Sequence, residues 1–209
     1  MPYVNENRAM TGTYADMLED HRTNRRALLI ASAADAIDAH GLRSVTIDAI
    51  AAHAGVSKVV LYRYFGSKDA LIDAVLADMV EALLGVDAMP ADKWTERLPH
   101  TLALARQKRA ALRILLRQAP HDPRFGRYVD HLHTVLAERT IHRMQEALGE
   151  PGIMPGDPAM LARMVSSFLL DAYLNWLDGG NLAKEMEFLD WLAASVQAMT
   201  RQWWNGAQA

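Results

Sequence analysis

TIDAIAAHAGVSKVVLYRYF, residues 46 to 65, is the stretch on which the reading of this chain turns. Thr46 is a helix N-cap residue type, and Asp48 puts an acid into the first turn that follows. Ile47, Ile50 and Ala51 then recur at helical spacing on one face. Ala54-Gly55-Val56-Ser57 interrupts the run: Gly55 supplies a left-handed conformation, Val56 can plug the joint, and Ser57 can cap the next helix. That helix, Lys58 to Phe65, buries Leu61 and Phe65 at i and i+4. It turns Lys58, Val59, Tyr62, Arg63 and Tyr64 outward. Two short helices joined by a Gly-containing turn form a helix-turn-helix, whose second helix can enter a DNA major groove. The same geometry also serves as a plain packing corner. The outward face separates the two readings, because two cations and two tyrosines suit phosphates and base edges and serve no core. Lys58, Val59, Val60 and Tyr62 are the candidates for base edges. Thr46, Ser57, Tyr64 and Lys68 are the candidates for phosphate, with Arg63 on the same outward face.

Charge follows the motif. The chain of 209 residues carries a net charge of −3, yet residues 21–68 hold seven Lys or Arg against three acids. That local excess is the electrostatic footprint of a nucleic-acid surface. Arg25 and Arg26 fall in the first turn of a helix expected from Thr23 or Asn24 to His40, where a nearby phosphate would offset an unfavourable helix dipole. Leu29, Ala33 and Ile37 form its inward line. Behind the motif, Gly66-Ser67-Lys68-Asp69 reads as a turn with Ser67 as a fresh N-cap.

Residues 25–76 resemble the DNA-binding domain of the tetracycline-repressor (TetR) family of bacterial transcription regulators. The resemblance runs through Ala33, Ile37 and the turn after Gly41, then T-I-D-A-I-A-A-H-A-G-V-S-K, L-Y-R-Y-F and S-K-D-A-L, without a gap. It departs from the family at Val59 and Val60, where small or hydroxyl residues are usual, which leaves the operator sequence open. The resemblance implies contact of Lys68's element with DNA backbone and pairing of two chains through their C-terminal halves.

The whole pattern predicts an all-α fold of about nine helices. Residues 1–22 are expected to be a loosely ordered arm, 23–70 the helix-turn-helix domain, and 71–209 a helical ligand-binding and dimerisation domain. A long apolar stripe from Leu71 to Leu84 makes the fourth helix a lever between the domains, with a break expected from Gly85 to Asp92. Gly149 to Gly156, which holds Pro151 and Pro155, reads as a loop. Asp157-Pro158 opens a helix that is apolar nearly all round, which demands burial on more than one side. Paired with the final helix, it forms a hairpin able to meet its twin as a four-helix bundle. Leu161, Val165, Leu169, Trp176, Leu189, Leu192 and Val196 are the expected dimer contacts. Trp94, Leu98, Leu102, Phe125, Tyr128, His131, Leu132, Phe168 and Tyr173 are the expected lining of a small-molecule site, with His131 or Tyr173 as polar anchor.

Other chemistries find little support. No dinucleotide, phosphate-loop, zinc-protease or nucleophile-elbow motif is present, so catalysis is not expected. There are no cysteines, and the Glu138/His142 pair reads as a surface pair and not as metal ligands. No cofactor is implied. No apolar run approaches the ~20 residues of a membrane span and no signal pattern opens the chain, so a cytoplasmic location is expected. The expected partners are double-stranded DNA, a small mostly apolar effector and a second copy of the chain. Two functions remain: a ligand-responsive regulator, expected to be a repressor on a palindromic operator, and an architectural or recombination-associated helix-turn-helix dimer that senses nothing.

Overall fold

Helical periodicity becomes nine α-helices, with no strand, among the described residues of the computed structural model, 7–149 and 157–204. They are α1 (Asn7–His40), α2 (Ile47–His53), α3 (Lys58–Phe65), α4 (Lys68–Asp87), α5 (Arg97–Gln107), α6 (Arg109–Arg113), α7 (Gly126–Leu148), α8 (Pro158–Gly179) and α9 (Glu185–Trp204). The chain divides between Val75 and Leu76 into two compact units, and α4 contributes to both.

In the first unit, α1 buries Leu29, Ile30, Ala33, Ala34, Ala36 and Ile37 along one side. It does not begin at Thr23 or Asn24, as the polar composition upstream suggests, but at Asn7. Residues 7–22 are therefore helical and not a loose arm. The reason is cooperativity: once the buried face fixes the first turns, each further residue adds a hydrogen bond at little cost, and no proline stands in the way. Residues 1–6 lie outside the described residues. Arg25 and Arg26 consequently sit within the helix and not in its first turn, and the Arg26 guanidinium lies 5.2 Å from the Phe65 ring centroid.

The corner after α1 is closed by buried Leu42 and Val45. Thr46 caps α2 as expected, its hydroxyl oxygen accepting from the Ala49 N–H at 3.1 Å. Gly55 has φ +63°, and the Val56 N–H reaches back to Ala51 O at 3.0 Å, so the turn closes the end of α2 with a left-handed glycine. Ser57 occupies the N-cap position of α3, but its side chain makes no capping bond. Leu61 is 1% exposed and pins α3 to the core. Ser67 caps α4 by accepting from the Ala70 N–H at 3.0 Å.

In the second unit, α4 continues past Gly85 to Asp87, where the sequence suggested a break. A single glycine costs a helix only ~1 kcal/mol, and the last turn is held from outside. Arg139 Nη1 donates to Leu84 O and to Asp87 Oδ2, both at 3.0 Å. Arg143 pairs with both carboxylate oxygens of Asp87 at 2.7 and 2.9 Å and donates to Asp87 O at 2.9 Å. Two cations thus satisfy carbonyls that the helix end leaves without partners, at the pole where positive charge is favoured.

Helix α7 packs along α8, and α8 also meets α5, α6 and α9. Met144, Leu161, Val165, Val196 and Trp204 form one core cluster, and Trp204 Nε1 donates to Gly149 O at 2.9 Å. The expected loop from Gly149 to Gly156 falls, beyond its first residue, outside the described residues. Arg109, Arg113 and Arg117 converge on Asp178 at the end of α8. Gly180 is required at the next corner, because a Cβ there would come within 2.4 Å of the Trp176 ring.

Asp87 makes the fold sensitive to acid. Burial raises the pKa of its carboxyl, but the hydrogen bonds and charges of Arg143 and Arg139 outweigh that and hold it below the usual value. Its contribution is therefore complete above the unfolded aspartate value of about 3.9 and is lost as pH falls through the lower folded value. Asp87→Asn should destabilise the protein by roughly 1–2 kcal/mol at neutral pH, between an exposed and a fully buried pair because both arginines are partly exposed. It should also flatten the loss of stability below about pH 4, as read from denaturation midpoints across pH.

Candidate nucleic-acid interface and candidate ligand cavity

The outward face of α3 is built as its sequence implies. Val59 is 70% and Tyr62 45% exposed, large apolar surfaces that the first unit leaves uncovered. Lys58 pairs with Asp48 at 3.2 Å, with both side chains well exposed. Such a surface pair contributes ~0–1 kcal/mol, so the ammonium can exchange it for a phosphate or a base edge at little cost. Val60 and Tyr64 are half-buried, Thr46 and Ser57 exposed. Lys68 is tied down more than expected: its ammonium donates to Val45 O at 3.1 Å, bracing the start of α4 against the turn before α2.

A feature the sequence reading missed lies beside this face. His21, Arg22 and Arg25 of α1 and Arg63 and Tyr64 of α3 line one shallow depression. The Arg63 guanidinium stands 5.8 Å from the Tyr64 ring centroid. Three arginines and a histidine around one hollow suit a phosphate. The signal was present in the cations of residues 21–25, but assigning residues up to 22 to a loose arm removed half of the cluster.

The second unit holds a cavity of about 310 Å³. Of the expected lining, Trp94, Leu98 and Tyr173 are on its wall. The other six are not. Leu102, Phe125 and Leu132 are core residues, at most 1% exposed. Tyr128 lies under the Arg127 guanidinium, 4.8 Å from its ring centroid. His131 is exposed and cannot anchor a ligand there, and Phe168 lines a separate hollow with Trp176 and Trp191. Apolar periodicity alone does not distinguish a side chain that fills a core from one that borders a space. Leu83, Asp87, Thr101, Arg143 and Ser166 are on the wall instead.

The polar groups of the wall are few and placed. Ser166 donates to Arg163 O at 3.0 Å and lies 3.1 Å from His133 Nδ1. Burial, with the nearby Arg163 charge, lowers the pKa of His133 and favours its neutral ring. Tyr173 is 1% exposed, and its hydroxyl has no hydrogen-bond partner among the described residues. Thr101, on the same wall, donates to Arg97 O at 3.0 Å; its hydroxyl also lies near enough to the phenol to lower the phenol's pKa slightly, but it offers the phenol no well-formed hydrogen bond. Burial raises the pKa of the Tyr173 phenol well above its ordinary value, so it stays a donor.

Most of the expected dimer contacts are buried within the single chain. Leu161, Val165, Leu189, Leu192 and Val196 are at most 4% exposed within a single chain and belong to its own core. Leu169 and Trp176 are half-buried. The apolar side chains that α8 and α9 leave uncovered are Met160, Met164, Met186 and Trp191, all at least 43% exposed. On a helix apolar on two sides, the pattern does not reveal which side the chain keeps for itself.

The first unit is therefore a helix-turn-helix module with a basic rim, and the second a helical body around a cavity. Residues 29–75 match the bacterial regulatory proteins of the tetR family. An HTH-type transcriptional regulator of Mycobacterium tuberculosis is 44% identical over 64 residues, 31% of this chain and 27% of that protein. The alignment thus spans little more than a quarter of that relative. The HTH-type transcriptional regulator UidR of Escherichia coli is 24% identical over 190 residues, covering 87% of this chain and 95% of its own. A TetR-like transcriptional regulator from Rhodococcus sp. RHA1 shares the fold with a TM-score of 0.64 at 23% identity, over 85% of this chain and 94% of that one. The tetR-family match thus covers the helix-turn-helix unit, and over the rest of the chain the likeness to these regulators is one of fold. The relatives named here are HTH-type transcriptional regulators. No helix among the described residues is long and apolar enough to cross a membrane.

Arg63→Ala should weaken binding to all duplex sequences alike and reduce the slope of log affinity against log salt by about 1. Fluorescence anisotropy on a specific and an unrelated duplex across a salt series checks this. Loss confined to one sequence would instead assign Arg63 to base reading.

Proposed function

We propose that the chain is a ligand-responsive repressor that binds a near-palindromic operator as a homodimer and is released by a small, mostly apolar effector. The observation that carries this reading is the cavity beside α4, with the orphaned Tyr173 hydroxyl on its wall. A buried hydroxyl without a partner costs ~1–3 kcal/mol, a cost that a module with nothing to bind has no reason to keep. Val59, Tyr62 and Lys58 address base edges, and valine methyls suit the thymine methyl group. Arg63, Tyr64 and the arginines of α1 address phosphate.

Met160 and Met164 on α8, with Trp191 on α9, supply the surface through which two copies pair, in place of the buried leucines and valines. Helix α4 starts at the DNA-binding unit and ends at Asp87 on the cavity wall. An effector that prefers one placement of that helix changes the separation of the two α3 helices across the dimer. Half-sites fixed one or more helical turns apart do not tolerate the change. A coupling of ~1–3 kcal/mol lowers operator affinity roughly 5- to 150-fold.

Trp191→Glu tests the pairing. It should convert the protein to monomers at micromolar concentration in sedimentation velocity and weaken operator binding by roughly 100-fold, as expected when one of two linked contacts is lost. A wild-type protein that sediments as a monomer, or a variant that stays dimeric, contradicts the assignment. Selection of bound sequences from a random duplex pool tests the operator, with an inverted repeat as the expected result.

A further inference from the structure

The cavity's charge is lopsided. Three arginines, Arg97, Arg143 and Arg201, stand on its wall with a single carboxylate, Asp87. That carboxylate is already held by a fourth arginine, Arg139, which is not part of the wall. The rest of the surface is chiefly apolar, with Trp94, Val165 and Leu169 among its members. Arg97 is half-buried and donates its Nε–H to Met89 O at 2.9 Å, and Arg201 is exposed. A cation would still meet net repulsion there, whereas an anion would find guanidinium donors. The Tyr173 hydroxyl adds a buried donor that lacks an acceptor among the described residues. Arg143 is the link between this space and α4. Asp87 accepts three hydrogen bonds from it, through its carboxylate and its backbone carbonyl, out of the five donors a guanidinium offers.

We propose, building on the effector reading above, that the ligand is an apolar monocarboxylate whose acid group is received by Arg143, with Arg97 beside it, in competition with Asp87 at the end of α4. The acid group gains paired, charge-assisted hydrogen bonds of the kind guanidinium and carboxylate form. The apolar body occupies the space against Trp94 and Leu169, and Tyr173 donates to an acceptor on the ligand. A cavity of about 310 Å³ is at the small end of ligand sites, roughly 300–1,000 Å³, which favours a single ring system or a short chain. Regulation follows from the sharing. Arg143 holds the last turn of α4 through Asp87 when no acid is present, and an arriving carboxylate draws on the same guanidinium.

The test uses phenylbutyrate, naphthylacetate and octanoate, each against its neutral amide and its amine counterpart, with the full-length protein. Melting temperature reads binding, and anisotropy on the selected operator reads release. The acids should raise the melting temperature and lower operator affinity, with amides and amines roughly 10-fold or more weaker. Arg97→Met should weaken the acids selectively. Asp87→Asn combined with Arg143→Met, which avoids stranding a charge, should abolish the preference for acid over amide. The proposal fails if amides or amines match the acids, if both variants keep the preference, or if no acid binds. Amides or amines that bind and release the operator would leave the effector reading standing and remove only the acid group. Acids that bind without altering operator affinity would keep the cavity assignment and remove the effector reading.

Discussion

The last turn of α4 exists because Asp87 is gripped by Arg139 and Arg143. Without that grip, three features would work against the helix there: Gly85, a carboxylate at the negative pole of the dipole, and carbonyls with no donors. The grip converts all three into a fixed end. It also places the terminus of α4 on the wall of the cavity, through Leu83 and Asp87. The helix whose first turn is braced by Lys68 against Val45 O thus finishes beside the cavity.

This arrangement keeps partly buried charge beside a chiefly apolar cavity. Buried ion pairs are weak contributors to net stability, since desolvation offsets much of their attraction, and an apolar replacement of the same shape is often as stable. What they offer is sensitivity. Removing or distracting one partner has a large effect, because the other is left with its charge uncompensated. An arginine shared between a fixed carboxylate and a space open to ligands is therefore a place where a small molecule can act on backbone.

The helix-turn-helix was legible in the sequence because local rules specify it almost completely. Thr46, Gly55, Leu61 and Ser67 each have one role that a neighbour within five residues determines, and the structure gives each that role. The second unit was legible only as a class. Its helices follow from periodicity, but Leu161 and Met164 look alike in a one-dimensional pattern, and only packing makes one core and the other surface. His131 and His133 are two residues apart; the first is exposed and the second meets Ser166. The grip on Asp87 joins residues more than fifty positions apart and leaves no local trace. Residues 7–22 misled for a different reason: their composition is that of a loop, and the helix they form is propagated from Leu29 and its neighbours.

In the proposed function, an effector in the cavity acts on the recognition helices through α4. The chain lacks cysteine, so Val59→Cys gives each copy one site for a spin label on exposed α3. The distance between the two labels in the dimer, measured by pulsed electron resonance without DNA, reads the separation directly. The account predicts a distribution centred near one helical turn or a multiple of it, ~34–36 Å per turn, that shifts by several ångströms when a stabilising ligand saturates the cavity. A distribution unmoved by a ligand that nonetheless releases the operator would contradict it.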